Sequence, residues 1–334
     1  MNRQVISYIL GRLSLAAGAS LLFPFLLALM LAESSRLAFA AAIIVSSLLG
    51  ILLLTLGRLV SDKLSVREGI AITGLGWLMV TALGMLPYVF GGYLPLLEGI
   101  FESISGFTGT GATVITSIET LPRSILLWRS MTHWFGGLGI IVIFIALLPQ
   151  VGRGAVHMFN AESTGPTADR VLPRIKTTAL ALFTLYVCFT LAAWISFMFC
   201  GLDPFTAITH AFSTTATGGF STYDTSIVHF NNPPLEACMT FFMVLCGGNF
   251  GLYFTVWKKG PHMLWHNTEF KAYILMLSTA TCFISWNLMS QMDFSGYEAF
   301  RYAAFQVASI SSTTGFVSND FDIWHASTNH LILR

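Results

Sequence analysis

Seven stretches of this chain are each long enough and apolar enough to cross a lipid bilayer: 9–32, 37–60, 68–90, 122–149, 175–200, 233–256 and 268–289. A spanning helix needs about 20 mostly apolar residues, because the hydrocarbon core is about 30 Å thick and a helix rises about 1.5 Å per residue. Inside that core only helices and closed barrels satisfy their own backbone groups. The chain is therefore expected to be an all-α, multi-pass integral membrane protein. Composition agrees. Of 334 residues, 54% are hydrophobic and 10% charged, with mean hydropathy +0.71; a soluble domain carries about 25% charged residues. Lipid, not water, must cover most of such a surface. The apolar stretch after Arg3 and Arg12 runs to about Ala32 without a clear cleavage site, so it reads as a retained first helix and not a removed signal peptide.

Three further apolar segments, 95–108, 203–215 and 296–311, are too short to cross and too apolar for ordinary loops. Segments of that length are expected to be re-entrant. Charge placement sets their side. With the N-terminus in the cytoplasm, twelve of the 17 Lys and Arg residues fall inside and five outside, which is the positive-inside bias of membrane proteins. All three short segments then enter from the outer face. Acidic residues collect on that face, where they either concentrate cations at a mouth or simply solvate the loops.

The same map shows an internal repeat of about a hundred residues, running Gly111, Gly218, Gly315. Its unit is helix, short helix, Thr/Gly loop, helix. Asp203 before Pro204 reads as an N-cap and first helical residue; Ser295 with Glu298 fits a capping box; Pro95 is expected to open the first short helix. Each short helix aims the negative end of its dipole toward mid-membrane, where it favours a cation. After each comes a similar string: Thr108-Gly109-Thr110-Gly111-Ala112, Thr215-Ala216-Thr217-Gly218-Gly219 and Ser312-Thr313-Thr314-Gly315-Phe316. Aligned on hydroxyl, variable, Thr, Gly, these strings present successive main-chain carbonyls that replace the hydration shell of a passing ion. Glycine permits the backbone angles, and threonine is expected to add a hydroxyl oxygen. Oxygen ligands without carboxylates suit a monovalent ion better than Ca2+, which favours K+. The expected ion-binding set is Gly109, Thr110 and Gly111, then Ala216, Thr217 and Gly218, then Thr313, Thr314 and Gly315. One aligned filter glycine per loop (Gly111, Gly218, Gly315) predicts a short stack of sites and loose K+/Na+ discrimination.

Other residues carry less. The cysteines (Cys188, Cys200, Cys238, Cys246, Cys282) show no CxxC pair and suggest neither a disulfide framework nor a zinc site. Gly136-Gly137-Leu138-Gly139 and Gly247-Gly248-Asn249-Phe250-Gly251 read as small-residue packing seams. Asn249 bonds either to the back of a loop or to a neighbouring helix. His133 and Trp134 read as an aromatic belt, and His210 as a hydrogen-bonded helix histidine. No catalytic set or cofactor site emerges, and nothing suggests a nucleic-acid partner, so an enzyme is not expected.

These residues resemble the Trk/Ktr/HKT superfamily of K+ transporters, and within it the bacterial TrkH-type membrane subunit. The resemblance runs from end to end of the chain and rests on Glu102-Ser103-Ile104-Ser105-Gly106-Phe107, Trp134-Phe135-Gly136-Gly137-Leu138-Gly139-Ile140, Ala161-Glu162 through Gly165-Pro166 with Pro173-Arg174-Ile175, Gly218-Gly219-Phe220-Ser221-Thr222 and Gly247-Gly248-Asn249-Phe250-Gly251-Leu252. It implies an N-terminal two-helix unit followed by four helix–pore loop–helix repeats around one pore, K+ as the transported ion, and the bacterial inner membrane as location. It also implies a homodimer regulated by a cytosolic nucleotide-binding ring. The expected division is 1–62 for the two-helix unit, 63–152 and 153–260 for two repeats, and 261–334 for an incomplete third. On this reading the third closing span and fourth repeat are absent. The chain is then expected to be a fragment or to be completed by another polypeptide. A truncated, non-transporting or regulatory fragment of such a system is the alternative.

Overall fold

The structure, a computed structural model, describes residues 2–58, 66–137, 139, 175–292, 294–320 and 324. Among them every regular element is a helix. The chain divides into two compact units: Met1–Thr108 with Ala112–Phe183, and Gly109–Gly111 with Thr184–Arg334.

In the first unit, α1 (Arg3–Ser20) continues through Leu21 into α2 (Leu22–Met30), and α3 (Arg36–Leu56) returns along α1. Lipid supplies no hydrophobic drive between helices, so close approach of small residues must hold them. Here a Cβ added to Gly11 would lie 2.9 Å from the Gly50 carbonyl oxygen, and Ser14 Oγ donates to Ser46 O at 2.7 Å. Next come α4 (Val66–Gly84), the short α5 (Leu86–Phe90), α6 (Leu96–Thr108) and α7 (Arg123–Gly137). Glu33 accepts from the backbone N–H groups of Arg123 at 2.9 Å and Ser124 at 3.1 Å, an anion at the positive end of α7. Trp128 Nε1 donates to Gly84 O at 2.9 Å and locks α7 against the end of α4. His133 is fully buried on α7. It therefore lines no aromatic belt.

The pattern repeats along α8 (Ile175–Phe199), which enters the second unit at Thr184, and then α9 (Pro204–Thr215), α10 (Pro233–Cys246), α11 (Phe250–Lys259), α12 (His262–His266), α13 (Thr268–Gln291) and α14 (Gly296–Ser311). The three short helices α6, α9 and α14 lie where the sequence places them, with the expected starts. Asp203 caps α9 by accepting from Phe205 N and Thr206 N, both at 3.1 Å, and Ser295 with Glu298 forms a capping box on α14. A core of Phe197, Leu202, Ala211, Met239, Phe305 and Phe316 joins the α9 and α14 regions.

Among the described residues, five helical stretches are long and apolar enough to cross a membrane: Arg3–Met30, Arg36–Leu56, Arg67–Phe90, Ala179–Phe199 and Thr268–Gln291. Of the seven expected spans, 122–149 is described only as far as α7, its remainder lying outside the described residues. The 233–256 span is not straight. Helices α10 and α11 meet at 89° across Gly247–Asn249. Asn249 makes the break by capping α11, accepting from Gly251 N at 2.9 Å, while its amide donates to Glu269 at 3.3 Å. That settles the two roles open for Asn249: it is a cap tied to a neighbouring helix, not a strut behind a loop.

Candidate functional site

All three Thr/Gly loops leave their short helices by left-handed turns. Thr217 N donates to Thr214 O at 3.1 Å and Gly218 N to Ser213 O at 2.9 Å; Thr313 N donates to Ile310 O at 3.0 Å and Thr314 N to Ser309 O at 2.8 Å. This pair of bonds is the Schellman ending, which requires a left-handed residue just past the cap. Gly109 (φ 67), Thr217 (φ 53) and Thr313 (φ 60) occupy that position. Two of the three are β-branched. A side chain of that shape is a genuine outlier there, and such strain costs about 1–3 kcal/mol and concentrates at functional sites.

Two residues on, the backbone turns left-handed again, at Gly111 (φ 74), Gly219 (φ 80) and Gly315 (φ 81). These three glycines are the structural equivalents. The sequence alignment on Thr-Gly placed Gly218 with Gly111 and Gly315, and the backbone moves that register by one residue. Gly218 has no positive φ and stands where Thr110 and Thr314 stand in the other loops. The same spacing recurs behind the loops. Ser105 Oγ donates to Ala112 O at 2.5 Å and Ser309 Oγ to Phe316 O at 2.7 Å, each from six residues before its glycine to one after it; Ser213 holds that position relative to Gly219. Two signals for this register were present in the sequence: the Gly-Phe pair at 219–220 and 315–316, and the serine six residues earlier in every repeat.

Within the second unit the loops converge. A Cβ on Gly111 would sit under 3.0 Å from the Gly218 carbonyl oxygen, and one on Gly219 equally close to the Thr314 carbonyl oxygen. Each glycine thus abuts the main-chain oxygen just ahead of the next loop's glycine. That recurring relation brings Gly109–Gly111 into the unit that holds the second and third loops. Around Gly315 an added Cβ would meet nothing within 4 Å. The third loop is further tied to the second repeat, where Val317 O accepts from Ile227 N at 3.0 Å and Val228 N at 3.2 Å, and Val317 N donates to Ser226 Oγ at 3.2 Å.

The oxygens that Gly111 and Gly219 abut, those of Gly218 and Thr314, are main-chain carbonyls. Several threonine hydroxyls near the loops hydrogen-bond within the protein: Thr108 Oγ1 donates to Ile104 O at 2.8 Å, Thr215 Oγ1 to Ala211 O at 2.8 Å, and Thr314 Oγ1 pairs with Ser312 Oγ at 2.7 Å. Helical threonines readily bond back to the preceding turn.

Polar side chains buried behind the loops escaped the sequence reading. Arg129 and Glu102, 2% and 0% exposed, form an ion pair with Nε 2.6 Å from Oε1. Glu102 also accepts from Thr113 Oγ1 at 3.0 Å and from Val114 N at 3.2 Å. His210, as expected, is a hydrogen-bonded helix histidine; it contacts Thr206 O at 2.8 Å and Ser221 Oγ at 3.1 Å. A carboxylate in the bilayer is expensive unless paired, so Arg129 is what makes Glu102 tolerable.

Short helices ending in strained left-handed turns, whose carbonyl-bearing loops meet inside an apolar multi-helix protein, define an integral membrane protein of the re-entrant pore-loop class. Residues 35–333 match the TrkH family model, described as cation transport protein. The chain is 34% identical over 329 residues to the Trk system potassium uptake protein TrkH of Escherichia coli K12, covering 97% of this chain and 68% of that one. It is 30% identical over 325 residues to the Trk system potassium uptake protein TrkI of Halomonas elongata, covering 96% and 65%. The crystal structure of the potassium transporter TrkH from Vibrio parahaemolyticus superposes with a TM-score of 0.88 at 32% identity, over 100% of this chain and 69% of that one. The chain belongs to the TrkH family of cation transport proteins.

Proposed function

We propose that this chain is the translocating subunit of a bacterial Trk-type potassium uptake system. K+ is coordinated by main-chain oxygens of 109–111, 216–219 and 313–315. The observation that carries this reading is the close approach of Gly111 and Gly219 to the next loop's carbonyls, those of Gly218 and Thr314. Oxygens so arranged stand in for water around a weakly hydrated cation, and the ends of α6, α9 and α14 add negative potential from their dipoles.

On this reading residues 1–62 form an N-terminal two-helix unit, and 63–152, 153–260 and 261–334 are successive pore modules. The protein sits in the inner membrane with its N-terminus in the cytoplasm, supported by the twelve-to-five distribution of basic residues. A homodimer and a cytosolic nucleotide-binding ring are the partners that the family resemblance suggests. With one glycine position shared by all three loops (Gly111, Gly219, Gly315), discrimination against Na+ is modest.

The test is growth of a K+-uptake-deficient bacterium at low K+, together with 86Rb+ uptake, in cells expressing this chain. The expected result is rescue that is lost on Gly111→Val, because the new side chain meets the Gly218 carbonyl. Absence of rescue, or rescue that survives Gly111→Val, overturns the assignment.

A further inference from the structure

We propose that in the first two repeats the buried polar residue nine positions before the loop glycine, Glu102 or His210, is a positioning residue. It acts through the hydroxyl two positions after that glycine, Thr113 or Ser221, and so sets discrimination among alkali ions. The inference rests on the reading that these loops coordinate K+.

The two clamps use different chemistry at the same offsets. Glu102 precedes Gly111 by nine, and Thr113 follows it by two; the Thr113 hydroxyl donates to the carboxylate at 3.0 Å. His210 precedes Gly219 by nine, and Ser221 follows it by two. In the second clamp the hydrogen-bond directions follow from the partners. Thr206 O can only accept, so Nδ1 of His210 carries the proton in the 2.8 Å bond. In the neutral ring Nε2 is then the acceptor, and Ser221 Oγ donates to it at 3.1 Å. The same Ser221 oxygen accepts from Tyr223 N at 3.1 Å. Its hydroxyl is therefore fixed in direction, and the chain leaving Gly219 is fixed with it. Both helix residues are fully buried, where an unmade hydrogen bond is costly.

Satisfying a buried polar group requires some partner, but it does not require the same loop position in two repeats from a carboxylate–threonine pair and an imidazole–serine pair. What the two share is the result: a hydrogen bond from the short helix across to the segment just beyond the left-handed glycine. That bond sets the height of the loop's carbonyls relative to the helix. The third repeat does it otherwise. Gln306 holds the equivalent helix position, but Val317 has no hydroxyl, and its backbone is held by residues 226–228 instead. The three loops are thus anchored by three different bonding schemes, so each anchor can be altered separately.

The experiment uses the full chain in the uptake-deficient bacterium with Thr113→Val and Ser221→Ala, which remove a hydroxyl while leaving the Glu102–Arg129 pair and the His210 bond to Thr206 in place. Thr113→Ser and Ser221→Thr serve as conservative controls. The apparent KM for 86Rb+ and the inhibition constant for Na+ are measured, with Vmax normalised to the protein found in the membrane. Loss of one such bond is expected to raise the Rb+ KM by about two- to tenfold and to lower the ratio of Na+ inhibition constant to Rb+ KM by a similar factor. Normalised Vmax stays within about twofold, and the hydroxyl-preserving variants restore the ratio. A purely structural role would lower the amount of membrane protein with the ratio unchanged, and that result overturns the proposal. Gly219→Ala separates the two levels of inference: an unchanged ratio with uptake lost in Gly219→Ala rejects the clamp alone, whereas uptake retained in Gly219→Ala rejects the loop assignment and the clamp together.

Discussion

Replacing Gly219 by alanine puts a methyl carbon under 3.0 Å from the Thr314 carbonyl oxygen, where ordinary contact begins at 3.4 Å. The obstacle is backbone, not the end of a flexible side chain, so one loop must shift on the order of 1 Å to relieve it. The new residue must also hold φ at 80, a strain of about 1–3 kcal/mol for a non-glycine residue. A displacement of about 1 Å at a site built on geometry commonly costs about a hundredfold in rate. The expected loss of 86Rb+ uptake in Gly219→Ala is therefore about ten- to a hundredfold. Gly218→Ala is the informative comparison. Gly218 lacks a positive φ and occupies a position that is threonine in the other two loops, so alanine there is expected to keep uptake within about threefold, by the same strain argument. Both variants are assayed in the uptake-deficient bacterium with membrane protein quantified. If Gly218→Ala proves the more damaging, the backbone register is wrong and the alignment on Thr-Gly is right.

Two further outcomes follow from the packing. Arg129→Met leaves Glu102 buried without its cation, which costs about 3–5 kcal/mol for a pair of this kind; the thermal midpoint of the detergent-solubilised protein should fall clearly, with partial recovery in Glu102→Gln/Arg129→Met, and an unchanged midpoint would contradict the buried pair. Cys200 and Cys238 have their sulfurs 3.4 Å apart, beside an Asn232 amide that donates to Cys200 O at 2.7 Å; mild oxidation should remove maleimide reactivity from both thiols together, reversibly with dithiothreitol, and independent labelling of the two after oxidation would mean the ends of α8 and α10 are not adjacent.

That cysteine pair also shows where sequence reading reaches its limit. Nothing in the spacing of Cys200 and Cys238, 38 residues apart, distinguishes them from the other cysteines. They are adjacent where the Asn232 amide, at the start of α10, donates to Cys200 O at the end of α8. The break at Gly247–Asn249 was hidden for a related reason: the apolar content of 233–256 is that of a span, and the 89° turn depends on Asn249 capping one helix while holding Glu269 on another.

Local rules alone determined the three short helices. Capping by Asp203 and by Ser295 with Glu298, apolar runs too short to cross, and the recurrence of a Thr/Gly string are short-range features, and the structure returns each within a residue or two. Tertiary structure decided the register of the second loop and the partners behind it. Thr215-Ala216-Thr217-Gly218 matches the other strings best by residue type, but backbone conformation is set by how α9 terminates and by which carbonyl the next loop presents. The second of these comes from Thr314, about a hundred positions away, and the serine six residues before each glycine, which marks the register in the sequence, lies outside the five-residue strings.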